Sequence, residues 1–443
     1  MNDAPVFLLL SFEHPNNAVD TVAEAMALGL RAQGVEAAVC TLPRDLPKLA
    51  QLPPERVSGL MSMGSLPLTA RLGGRLLWEH FPVPVSLFLL DALPYDLARV
   101  PGMATFLEAA LQNPRLSLVS PEDGYRRWLG EALPVRWSHL PFAAFPAVQP
   151  FQAAEPPQAR VCVIGTVGSE LGGSPVGETL DALVQRVLGG ASPARRARLA
   201  EALTAPDAAA MPALTVCREL GWSPADALHS QRLPVLIAID SWVKRERRLA
   251  AVRSLAGIPC DFFGRGWAEL LGEVPGFRHV GQVHHGDIAR LVPHYMAVLN
   301  FDPNWSHGVH DRVYTATAMG VRVLTNTNEA LAGAGLPTDL VTTYDANRPA
   351  LAPALLEAGW LDALPPPARP RAAVLGPHGW AARMADWLCD RPPAASPAGA
   401  TAPAPTATAA PTATAATRAT PSAAAPRSAA PAPAHPLIAS LAL

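Results

Sequence analysis

The sequence predicts an α/β protein made of parallel, doubly wound sheets. Short apolar strands alternate with segments of helical periodicity, a pattern whose crossovers force parallel pairing. The stretch 300–326, NFDPNWSHGVHDRVYTATAMGVRVLTN, reads as strand end, polar loop, short helix, glycine and buried strand. The chain has 443 residues and is 49% hydrophobic, enough for two domains with large cores plus something extra.

The first expected strand is Val6–Phe12. A helix over 17–33 follows, with Val19, Val22, Ala23, Met26 and Leu30 on one face, Asn16 or Asn17 as cap and Gly34 as stop. Further strands are expected at 36–42, 59–64, 83–91, 115–120 and 135–140, with helices at 104–111 and 123–129. These make a first domain over 1–145. Residues 146–159 are rich in Pro, Ala and Gln and read as a linker, after which RVCVIG (160–165) opens a second α/β domain over 160–391. Ala-rich residues 177–230 read as a helical insertion. Residues 233–255 read as one long helix in preference to a strand at 235–239, because Val235, Ile239, Trp242, Leu249 and Val252 keep helical spacing. Strands at 260–263, 277–280 and 296–300 lead into the stretch already quoted, where a helix over 312–319 stops at Gly320 before a strand at 321–324. From 392 to 443 the chain is dominated by Ala, Pro and Thr and has no Asp, Glu or Lys, so a disordered tail is expected.

The formal net charge of −2 gives no global basic field for nucleic acid. The five scattered cysteines lack a C-x-x-C pair, which suggests a reducing compartment, and a cytoplasmic location is expected. Val6–Phe12 lacks the basic flank of a signal peptide, and no apolar run reaches the roughly 18–20 residues of a membrane span.

Two doubly wound domains place a cleft between the carboxyl edges of their sheets. Three groups are expected to face it. The loop after the first strand carries His14, a candidate general base. The run Lys244-Arg245-Glu246-Arg247-Arg248 points several ways on a helix; at most one or two of its cations reach a diphosphate, and a solvated face is the simpler reading. The loop of residues 300–311, feeding a helix N-terminus, is an anion site by its geometry. Gly264-Arg265-Gly266-Trp267 and His284-His285-Gly286 fall nearby in strand order. The paired histidines lack a metal-ligand motif, so no metal site is expected.

The segments FFGRGWAELL, GQVHHGDIARLVPHYMAVLNFDPN and HDRVYTATAMGVRVLTN resemble the C-terminal half of CgeB-like glycosyltransferases. The likeness rests on Gly264, Trp267, Gly281, Val283, Leu299, Asn300, Arg312, Val313, Ala318, Gly320, Leu324, Thr325 and Asn326. Residues 84–96 and 136–145 are also similar to family segments, and the first 80 residues match weakly. The resemblance implies a GT-B fold, two Rossmann-like domains facing a central cleft. It also implies transfer of a sugar from a nucleotide-diphospho-sugar to a glycan, lipid or protein acceptor, with neither a metal nor a resident cofactor. Carried over by position, Arg312 and the amides near Gly308 become diphosphate contacts, and Gly264, Arg265, His284 and His285 become base or ribose contacts. His307 and Thr315 stand where many related enzymes carry Glu; Asp311 or Asp302 is the substitute. In the first domain, which the resemblance assigns to the acceptor, His14 or Asp91 is the candidate base. The missing carboxylates favour one alternative, a non-catalytic GT-B module that binds a sugar nucleotide or a protein. Another is a nucleotide-sugar epimerase.

Overall fold

The computed structural model describes residues 4–390, apart from 15, 92–93, 96–112, 131, 134, 146–157, 168–174, 176, 206–207, 209, 230, 303 and 361–368. The helix expected at 104–111, most of the linker and the tail from 392 lie outside the described residues. Residues 1–391 form one compact unit.

Its first half is a six-stranded sheet of β1 (Val6–Phe12), β2 (Ala37–Leu42), β3 (Val57–Met63), β4 (Val85–Phe88), β5 (Leu116–Ser120) and β6 (Arg136–His139). The order is β2-β1-β3-β4-β5-β6, with every neighbour parallel. Alternation along β1 shows why its sequence is apolar throughout. Phe7 and Leu9 enter one core, Leu8 and Leu10 the other, so both faces are covered. Helix α1 (Ala18–Ala32) lays Val19, Val22, Ala23, Met26 and Leu30 on the first of these cores. Its start is fixed by Asn16, whose Oδ1 accepts the Ala18 amide at 3.2 Å, and Gly34 at φ 77° follows its end.

The second half is another six-stranded sheet: β7 (Gln158–Ile164), β8 (Cys260–Phe263), β9 (Phe277–Gly281), β10 (Tyr295–Leu299), β11 (Arg322–Asn326) and β12 (Val341–Tyr344). Its order is β9-β8-β7-β10-β11-β12, again all parallel. The protein is therefore an α/β fold of two Rossmann-like domains. Because β7 begins at Gln158, the last two residues assigned to the linker belong to the second sheet.

Helix α2 (Asp123–Leu129) follows β5, capped by Glu122. The insertion contributes helices Leu180–Val187, Pro193–Thr204, Pro212–Leu220 and Pro224–Ala227. Three of them start at a Thr or Ser whose side chain accepts an amide of the first turn. They build a small core with Leu236, Ile239 and Val243 of helix α3 (Leu233–Arg253). The same helix sends Leu233 and Ile237 into the first domain's core and Leu249 and Val252 into the second's. A helix packed on three sides has no single apolar stripe, and this made its period ambiguous in the sequence.

The charged run on α3 is not the solvated face expected. Arg245 and Arg247 are 3% and 8% exposed and donate to the carbonyls of Pro175 (2.9 Å) and Ala210 (3.0 Å). Burial pushes the Arg247 guanidinium down to about 10.

After helix α4 (Asp311–Ala318) and β11, the chain returns to the first domain through helix α5 (Trp380–Asp390). Gly29 of α1 lets it approach, since a Cβ there would lie 2.6 Å from the Trp380 carbonyl. Trp387 packs edge-on against Phe7 at 6.0 Å. Trp387→Ala is expected to cost about 3–5 kcal/mol by cavity formation, read from urea denaturation midpoints.

Candidate functional site

In the second sheet the chain steps outward from β7 to β8 and β9, crosses back to β10 on the other side of β7, and continues in the opposite direction to β11. The carboxyl ends of β7 and β10 therefore diverge and leave a crevice, the switch point where ligands of such sheets bind. Two glycines shape its floor. Gly165 ends β7 at φ 145° and Gly264 ends β8 at φ 135°. A Cβ on Gly264 would fall 2.0 Å from the Gly165 carbonyl oxygen. That oxygen accepts the indole N–H of Trp267 at 2.7 Å, and Trp267 is almost fully buried. The G-x-x-W element thus holds two strand ends together.

Arg312, in the first turn of α4, is 7% exposed and reaches across to β7. Its Nη1 donates to the Ile164 carbonyl, and its Nη2 lies 3.2 Å from His310 Nε2. Its Nε has no partner among the described residues. Asp311 organises this corner. Its Oδ1 accepts the Arg312 amide at 2.8 Å and meets His310 Nδ1, while its Oδ2 lies 2.7 Å from His285 Nε2. Burial alone would raise the Asp311 pKa, but His310 and His285 outweigh it and hold the carboxyl well below its usual range.

The anion site expected at the backbone amides is occupied by the protein itself. The His307 amide donates to Glu122 Oε1 at 3.0 Å, and the Arg312 amide is capped by Asp311. A Cβ on Gly308 would come 3.0 Å from the Pro121 carbonyl, so Gly308 serves the docking of this loop on the first domain. The His307 ring lies between Ser306 Oγ and Glu329 Oε2, 2.7 Å from each. Thr315 Oγ1 accepts the Phe145 amide at 3.1 Å.

Two cavities open on the crevice. The first, about 220 Å³, is lined by Asn16 and Ala18 of the first domain and by Gly165, Thr166, Gly264, Gln282, His285, His310 and Arg312, among others. The second, about 110 Å³, lies among Asp91 and Tyr95 of the first domain and Asp240, Lys244, Arg248, Asp302, Asn304, Trp305 and His310. Of the expected residues, Gly264, His285 and Arg312 meet in the first cavity, and Asp91 and Asp302 in the second. Asp311 lies beneath them. His14, Arg265, His284, His307, Gly308 and Thr315 line neither. His14 bonds through Nδ1 to Asn16 Oδ1, and the Arg265 carbonyl accepts the Val167 amide at 3.0 Å.

Sequence reasoning gave no role to Gly165, Thr166, His310, Tyr95 or Asp240. Gly165 carried a signal as a glycine ending a buried strand; Tyr95 and Asp240 carried none. Arg248 was one of five residues in a charged run. Its Nη1 donates to the Thr166 carbonyl at 2.5 Å, and burial, helped by the nearby Arg312 charge, lowers it to about 10.

Residues 244–388 match the family model described as glycosyl transferase-like. No protein of curated function matches the chain by sequence. Among solved structures, the chain is similar to sucrose-phosphate synthase from Thermosynechococcus elongatus, at 13% identity over 87% of this chain and 98% of that one, TM-score 0.44. It is also similar to S. aureus MnaA in a co-structure with UDP, at 10% identity over 87% and 95%, TM-score 0.39. Anabaena HepE in complex with UDP and glucose is similar at 10% identity over 87% and 100%, TM-score 0.38. The family match covers the crevice from Lys244 onward, in a chain whose fold is two Rossmann-like domains.

Gly264→Ala is expected to lose about 3 kcal/mol or more in urea denaturation, from steric overlap and an unfavourable φ. Asp311→Asn removes a charge that two imidazoles face, at a cost of about 3 kcal/mol near pH 7. A carboxyl depressed in the folded state stabilises above its unfolded pKa, and the gain is lost as pH falls through the folded pKa. The stability gap between wild type and Asp311→Asn is therefore full at neutral pH and narrows below the unfolded value of 3.8, as denaturation at a series of pH values will show.

Proposed function

We propose that the protein transfers a sugar from a nucleotide-diphospho-sugar to a glycan, lipid or protein acceptor without a metal ion, and that the first cavity holds the diphosphate. The observation that carries this reading is Arg312, a buried guanidinium with an unpartnered Nε at the switch-point crevice of the second sheet. When the bond to the sugar breaks, the leaving diphosphate gains negative charge, and a fixed, buried guanidinium stabilises it. The family match over 244–388 supports the class of reaction, and the CgeB-like segments point to that subtype. Gly264 and His285, on the same cavity wall, are the proposed neighbours of the nucleoside. Asp91 is the proposed base, because it lines the second cavity where an acceptor hydroxyl can approach; the His14 ring is tied to Asn16, which lines the first cavity. All five thiols are unpaired, in keeping with a cytoplasmic protein.

One observation favours the alternative of a binding module without turnover. His307, Gly308 and Thr315 are engaged in contacts that fix the second domain against the first. Release of free sugar from a donor by the purified protein separates the two readings.

A cognate nucleoside diphosphate is expected to raise the melting temperature in a thermal-shift panel. Arg312→Lys keeps the charge but loses the planar fork, and affinity should fall about tenfold or more. Undiminished binding by a folded Arg312→Lys protein would sink the assignment of the diphosphate site.

A further inference from the structure

The first cavity has a wall from each domain, and Arg312 accounts for only one of them. Arg312 meets an anion chiefly through Nε, because its Nη1 donates to the Ile164 carbonyl and its Nη2 faces His310. A diphosphate has more terminal oxygens than one such donor satisfies. Two amides of the loop after β10 are already engaged, that of His307 by Glu122 and that of Arg312 by Asp311. Further donors have to come from elsewhere on the cavity wall.

The first domain offers one. Asn16 and Ala18 line the cavity at the N-terminus of α1, a helix of 15 residues. Asn16 is half-buried and fixed at both ends. Its Oδ1 accepts the Ala18 amide at 3.2 Å and meets His14 Nδ1, and its main-chain carbonyl accepts the His285 amide at 2.9 Å. The Ala18 amide can only donate, which settles which end of the carboxamide is oxygen. With that oxygen turned onto the first turn of α1, the polar atom left for the cavity is Nδ2, a donor only.

The surroundings favour an anion at this place. Among the described residues that line the cavity there is no Asp or Glu. The Asp311 charge beneath it is met by His285 and His310. The N-terminal end of α1 carries partial positive charge. Arg312, 7% exposed and with its Nε unpartnered among the described residues, borders the same space.

We propose that Asn16 supplies the first domain's hydrogen bond to the diphosphate. Its Nδ2 donates to a phosphate oxygen while Arg312 holds the anion from the second domain, so the ligand bridges the two walls. This rests on the first cavity holding the diphosphate.

The test is calorimetric titration of the full-length protein with UDP, dTDP, GDP and ADP, followed by the same titration of Asn16→Asp with whichever of them binds the wild type. Asn16→Asp is nearly isosteric, keeps an oxygen for the Ala18 amide and puts a carboxylate where the donor stood. Affinity should fall about tenfold or more, with the melting temperature of the free protein unchanged. A cap lost from α1 cannot account for such a fall, because Asp caps as well as Asn. A folded Asn16→Asp protein that binds as tightly as wild type overturns the inference. If that variant does not fold, Asn16→Ser, which also keeps a cap oxygen, decides by the same comparison: a loss of about threefold or more supports the contact, and unchanged affinity overturns it. Binding that depends on Arg312 and not on Asn16 sinks this inference and spares the diphosphate site; no binding of any of the four by the wild type sinks both.

Discussion

Asp311 is 3% exposed and yet ionised, and the arrangement of the crevice follows from how that charge is met. An isolated carboxyl at such depth would take up a proton. Here the rings of His310 and His285 stand against its two oxygens, and one oxygen also caps the amide of Arg312. Three chain segments are thereby fixed together: the turn after β9, the loop after β10 and the first turn of α4. Arg312 then has one direction open to it, across the crevice to the last carbonyl of β7.

The two domains are coupled as firmly as the crevice is built. One core holds residues of β1 and α1 together with Val298 of β10, Val313 and Ala316 of α4, and Trp380 and Trp387 of α5. Helix α3 enters three cores along its length. Glu122 joins the loop after β10 to the first domain, accepting the amides of His307 and Tyr125 with its two oxygens. A loop tied at this point cannot also offer the same amides to an anion. On the proposed reading, charge stabilisation then falls to side chains, and among the described residues Arg312 is the guanidinium that lines the first cavity.

Much of the fold was legible because each element obeyed a local rule. β1, α2 and β8 fall on their expected residues, and α1, β11 and the Gly320 stop lie within a residue or two of theirs. Helix α3 was legible from its spacing, but the destination of its arginines was not, since carbonyl partners such as Pro175 and Ala210 lie far away in sequence. The crevice was half legible. Gly264 and Arg312 stand out because backbone approach and anion binding each demand a residue type. The positions of His307 and Gly308 followed from the second domain alone, and a single-domain pattern carries no sign that the first domain will claim them. Tyr95 and Asp240 meet only through the packing of α3 on the first domain, so nothing local marks them.

His310 stands at the wall common to both cavities, between Arg312 and Asp311. A guanidinium has donors and no lone pair, so the His310 Nε2 that faces Arg312 must be the acceptor. On its other side His310 Nδ1 meets Asp311 Oδ1. The ring transmits the orientation imposed by Asp311 and holds the guanidinium in place. On the proposed reading, the diphosphate lies in the first cavity, against this same wall. The charge that meets the departing diphosphate is then that of Arg312, and the histidine beside it sets where that charge stands.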